Sequence, residues 1–101
     1  MKRSGKGARR MRKIDMERGT AGMLAASKAG RDRGSLYVII EEEAEYVYLA
    51  DGRSRTVDRP KRKNRKHIQI IKKLQIEKPQ DGYKDQEIRT TIKKYQEEAN
   101  V

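Results

Sequence analysis

The 101-residue sequence predicts a mainly β fold: a small closed or nearly closed barrel of five short strands, one C-terminal α-helix and a disordered basic N-terminal arm. Three observations carry this expectation. Short runs rich in β-branched or aromatic residues recur between Met23 and Ile71 without an intervening helical period. Turn signals separate the runs, Asp51-Gly52 the clearest of them. Beyond Asp81 the apolar spacing changes to alternating threes and fours, the period of a helix face.

Residues 1–20 form the arm in this reading. They hold eight basic and two acidic residues, and "MKRSGKGARRMRK" is nearly without large apolar side chains. Such a segment buries too little surface to offset the entropy of ordering. Residues 21–73 form the barrel, with strands expected at "MLAAS" (23–27), "LYVII" (36–40) and "YVYLA" (46–50). The carboxylates of "EEEAE" suit a solvent-facing hairpin between the second and third strands. Asp51-Gly52 supplies the positive φ of a tight turn, after which "RSRTV" (53–57) reads as a fourth strand with Arg53 and Arg55 outward. Pro60 then interrupts the ladder, and "HIQII" (67–71) reads as the fifth strand. Residues 74–101 form a helical extension. Ile88, Ile92, Tyr95 and Ala99 fall on one face, which is expected to pack on the barrel, and Asp85 is placed to cap the helix N-terminus.

Composition narrows the chemistry. Hydrophobic residues make up 34% and charged residues 41%, with no Phe and no Trp, so Ile, Val, Leu and Tyr must build a modest core. The absence of Cys excludes disulfides and thiolate zinc sites and fits a reducing, cytoplasmic setting. No segment approaches the roughly 20 apolar residues of a membrane helix. The single histidine, His67, has no Cys or second His with which to hold zinc, and a convergent nucleophile and base are missing, so neither catalysis nor a cofactor is expected. Glu41, Glu42, Glu43 and Glu45 lack the alternating ligand pattern of a calcium loop and read as a solvated acidic edge, so no metal site is expected.

The net charge of +11 is unevenly placed. Residues 1–20 carry +6 and residues 21–35 carry +2; residues 36–51 carry −5, residues 52–73 carry +9, and the remainder −1. Positive charge gathers in the arm, in "SKAGRDRG" and in "RPKRKNRKH", a pattern matching the footprint of a polyanion. In the first loop Gly30 and Gly34 bracket "RDR", allowing a sharp turn where a Cβ would clash and a close approach of backbone to phosphate. The expected contacts are Lys28, Arg31, Arg33, Arg53, Arg55, Lys61, Arg62, Lys63, Arg65, Lys66 and His67, with Gly30 and Gly34 shaping the loop. Tyr37, Tyr46 and Tyr48 lie in strands rather than in the basic loops, so they are expected to pack, and recognition is expected to follow phosphate and shape rather than base sequence.

The stretch "SKAGRDRGSLYVII", followed by "YVYLADGRSRTVDRPKRKNRKHI", resembles the KOW domain-containing RNA-binding proteins of bacteria related to the eukaryotic-type large-subunit ribosomal protein fourteen. The resemblance spans Gly22 to His67. Lys28, Gly30, Arg31, Asp32, Arg33 and Gly34 match the KOW loop, and Asp51, Gly52, Pro60, Lys61, Lys66 and His67 match the second signature. It implies an SH3-like barrel and a non-catalytic protein that binds RNA, above all ribosomal RNA or the large ribosomal subunit, with no membrane and no small-molecule substrate. The alternative is a protein-interaction barrel that binds an acidic protein partner.

Overall fold

A computed structural model describes residues 19–99. The expected arm therefore lies almost entirely outside the described residues. The elements run β1 (Met23–Ser27), β2 (Leu36–Glu42), β3 (Tyr46–Ala50), β4 (Lys61–Asn64), a 3₁₀ turn (Arg65–His67), β5 (Ile68–Gln75) and α1 (Asp85–Ala99). The strands form one antiparallel sheet in the order β4-β3-β2-β1-β5.

The middle of β2 is buried on both faces, which explains why "LYVII" is a continuous apolar run. Its alternate side chains serve two different layers. On one side Tyr37 and Ile39 pack with Ala25, Val47, Leu49 and Ile68. On the other, Val38 packs with Leu24, Ala50, Ile76, Tyr83, Ile88 and Ile92. The second layer is where α1 docks, as its spacing requires. Ile88 is fully buried, Ile92 nearly so, and Tyr95 covers the edge. Ala99, expected on the same face, is exposed, because the stripe runs off the sheet in the last turn.

Register shifts between Ile39 and Glu41 in β2, and beside Met23 and Leu24 in β1, interrupt the ladders and bend the strands. The sheet curls around the Tyr37–Ile39 layer but is not closed by hydrogen bonds, since among the described residues β4 and β5 are its two edges. The expected barrel is thus a curled sheet without hydrogen-bonded closure. The β1–β2 loop spans part of this gap: the Lys28 amide donates to the His67 carbonyl at 2.7 Å, and Lys63 Nζ to the Ala29 carbonyl at 2.9 Å.

The fourth strand is not where the alternation of "RSRTV" places it. After Ala50 the chain turns at Gly52 (φ +79°), as Asp-Gly predicts, but Arg53 and Arg55 spend their backbone groups inside the turn. Asp51 Oδ1 accepts from the amides of Arg53 and Arg55, and the Arg55 carbonyl accepts from the amides of Asp51 and Gly52. Groups used in this way are lost to a ladder. β4 instead begins after Pro60, which precedes the strand rather than interrupting one. Its Lys61 and Lys63 pair with Leu49 and Val47, and both ammonium groups reach Asp32 in the β1–β2 loop. A lysine-rich edge also resists pairing with other chains. β5 starts at Ile68, leaving His67 in the 3₁₀ turn, and continues past the expected boundary at residue 73 to Gln75. Asp85 does not cap its own helix. Its Oδ1 accepts from the Val57 amide at 2.8 Å and ties the β3–β4 loop to α1, while the Lys84 carbonyl accepts from Ile88.

Candidate nucleic-acid interface

The β1–β2 loop is built on a short platform. Ser27 and Ser35 close it through backbone bonds, Gly34 donating to Ser27 and Ser27 to Ser35. Gly30 and Gly34 adopt φ of +85° and +90°. The expected steric reason for these glycines does not hold: a Cβ at Gly34 would meet nothing within 4 Å, and one at Gly30 only ordinary contacts. Their role is conformational. Gly34→Val is therefore expected to cost about 1–3 kcal/mol through backbone strain, with no clash. An unchanged midpoint of thermal unfolding for this variant would count against that account.

Asp32, at the centre of "RDR", does not face solvent. Its carboxylate accepts from Ser27 Oγ (2.9 Å), Tyr37 Oη (2.9 Å) and Lys63 Nζ (2.7 Å), and Lys61 Nζ lies at 3.2 Å. Desolvation alone would raise its pKa. The bonds from Lys63, Ser27, Tyr37 and Lys61 outweigh it and hold the carboxyl well below the usual carboxylate range. The same partnership raises Tyr37 to about 12, first through burial and then through the bond to Asp32. Asp32 thereby joins the loop to β4, 29 and 31 residues further along the chain.

The expected contact residues divide by surroundings. Lys28, Arg31 and Arg33 are exposed on the β1–β2 loop and form no ion pair with any described residue. Lys63 is committed to Asp32 with its side chain only 9% exposed, and Lys61 is partly so at 28%. His67 lies beside the loop through its carbonyl. Arg62, on the opposite side of β4, stacks 3.8 Å from the centre of the Tyr46 ring. Arg65 donates to Glu42 Oε1 at 2.7 Å and to the carbonyls of Glu43 and Ala44, fastening the β2–β3 hairpin. Lys66 shares a shallow recess with Glu45 and Ala44 at that hairpin. Arg53 and Arg55 are exposed on the β3–β4 loop.

The charges are therefore segregated. Glu41 near the end of β2 and Glu43 and Glu45 in the hairpin that follows are exposed, whereas the cations of the β1–β2 loop, which pair with no described carboxylate, precede the strand. The seven residues of β2 separate the two ends by roughly 20 Å. Glu42 belongs to the fold rather than to a solvated edge. Against a desolvation that would raise it, its pKa is lowered by bonds from Thr20 and Arg65. Tyr37 is buried as expected, while Tyr46 and Tyr48 are partly exposed on the outer face of β3. Two cations outside the expected set, Arg89 and Lys93 of α1, come beside Ser35 and Arg53. Their i,i+4 spacing places them together on the helix, but only its docking says what that side faces. The chain matches no family model and no curated protein.

Proposed function

We propose that this protein is a non-catalytic RNA-binding module that engages ribosomal RNA or the large ribosomal subunit through the β1–β2 loop and adjacent basic residues. The observation that carries this reading is the set of exposed cations Lys28, Arg31 and Arg33, without described acidic partners, on a loop fixed to the sheet through Asp32. A cationic surface held in one shape gives phosphate a defined register, and Arg suits paired phosphate oxygens. The acidic hairpin repels a polyanion from the other end and orients its approach. The resemblance of "SKAGRDRGSLYVII" to KOW proteins supports RNA as the polyanion and a cytoplasmic location. Among the described residues no helix is long and apolar enough to cross a membrane.

Sucrose-gradient sedimentation of lysate containing the tagged protein tests the reading. The protein is expected to travel with large subunits at low salt, and Lys28→Ala/Arg31→Ala/Arg33→Ala to remain at the top of the gradient. Parent protein at the top under all conditions would refute ribosome association. Retention on an acidic protein column with no binding to ribosomal RNA would favour the interaction-barrel alternative.

A further inference from the structure

A second feature adjoins the loop. Between α1, the start of β2 and the β3–β4 turn lies an open cleft of about 470 Å³, a size within the usual range for small-ligand sites. Its apolar lining is the half-buried Leu36 and the small exposed edge of the otherwise buried Ile92, and its rim carries Arg53, Arg89 and Lys93 together with the Gln96 amide. Arg89 is anchored, Nη1 donating to the Gly52 carbonyl at 2.6 Å, so its guanidinium is held in place before any ligand arrives. A Cβ at Gly52 would lie 2.5 Å from the Asp85 carbonyl oxygen and 2.7 Å from Arg89 Cγ, so this close approach of turn and helix needs glycine. Among the described residues Asp51 is the one carboxylate lining the cleft, and its Oδ1 is already engaged by two amides of the turn. Gly34 and Ser35 form the wall shared with the β1–β2 loop.

Three cations above an apolar floor select a ligand that is anionic at one end and flat and apolar at the other. A simple phosphate would leave Leu36 and the exposed edge of Ile92 uncovered, and an apolar molecule would leave the cations without an acceptor. We infer that this cleft receives one unstacked nucleotide of a bound RNA, its phosphate held by Arg53, Arg89 and Lys93 and its base laid on Leu36 beside the exposed edge of Ile92. This rests on the RNA-binding reading and adds to it a preference for RNA with an unpaired nucleotide over continuous duplex. Unpaired bases are the part of RNA that protein side chains reach most readily. Gln96 supplies a donor and an acceptor for the base edge.

The test compares, by fluorescence anisotropy with the full chain, a hairpin RNA bearing an unpaired loop and a fully paired duplex of equal nucleotide number. The hairpin is expected to bind about tenfold more tightly, a difference of ~1.4 kcal/mol. Arg53→Ala/Lys93→Ala, confined to exposed side chains, is expected to bring the ratio to near one without changing the unfolding midpoint. An undiminished ratio in that variant overturns the assignment, as does equal binding of both RNAs by the parent. If the parent binds neither RNA, the broader reading fails, and NMR titration of the parent with 5′-AMP, adenosine and inorganic phosphate decides the cleft separately. Saturable shifts at Ser35, Arg53 and Lys93 that need 5′-AMP support the site. Equal shifts with phosphate alone, or none, refute it.

Discussion

Asp32→Ala is expected to destabilise the protein by about 3 kcal/mol and to lower the midpoint of thermal unfolding by roughly 12–24 °C, the scale for a domain of this size. The substitution removes the acceptor of Ser27, Tyr37 and Lys63 at once, and the ion-pair partner of Lys61. Lys63 is left with its ammonium largely covered and only the Ala29 carbonyl to bind, a costly arrangement for a charge. The effect also depends on pH. Because the folded-state pKa of Asp32 is depressed, its contribution is fully present above the unfolded value of about 3.9 and is lost as pH falls toward the folded one. Glu42 is shifted in the same direction and adds to the acid sensitivity of the parent. Urea titrations should therefore show the gap between parent and Asp32→Asn narrowing as pH is lowered from about 5 toward 2. A gap that is constant with pH would mean that the carboxylate charge does not hold the loop to β4.

The second large effect is electrostatic. With about five phosphates neutralised by the β1–β2 loop and its surroundings, log affinity for RNA should fall against log salt with a slope of roughly −3.5 to −4.5. Between 50 and 200 mM salt that slope amounts to a loss of about 10²–10³ in affinity. Lys28→Ala/Arg31→Ala/Arg33→Ala should make the slope shallower by about two to three units and leave the unfolding midpoint in place, since these side chains are exposed and form no ion pair with any described residue. Lys63→Ala differs in kind. It breaks the link to Asp32, so it should lower the midpoint, and any loss of binding follows from a loosened loop. Anisotropy at four salt concentrations, with melting of the same samples, separates the two cases. A slope near zero in the parent would remove phosphate neutralisation as the basis of binding.

These two experiments mark the division between what the chain states directly and what it does not. β1, β3 and the core of β2 were legible because their apolar runs are short, rich in β-branched and aromatic residues, and bounded by turn residues. The helix was legible from Ile88, Ile92 and Tyr95. β4 was not, because "KRKN" has the composition of a solvated loop and becomes a strand through pairing with β3 and the attachment of its lysines to Asp32. "RSRTV" showed the alternation of a strand, but Asp51 takes its amides first. In the candidate site, Lys28, Arg31 and Arg33 were visible as a charge cluster, whereas Arg62, Lys63 and Arg65 looked equivalent to them. Charge counting cannot tell a free cation from one that an acidic or aromatic neighbour already holds.

By itself, then, the sequence determined a mainly β chain with a C-terminal helix, the positive φ at Gly52, and the separation of acidic from basic segments. These are properties of neighbouring residues: period, turn chemistry and local charge. The tertiary structure alone decided that the sheet stays open, that Asp32 gathers Lys61 and Lys63 from a distant strand, that Asp85 serves Val57 rather than its own helix, and that Arg89 and Lys93 face Arg53 across a cleft. Each of these depends on which segments the curled sheet brings within hydrogen-bonding reach. That is set by packing around two apolar layers, and a buried carboxylate takes its partners from whatever donors the packing delivers.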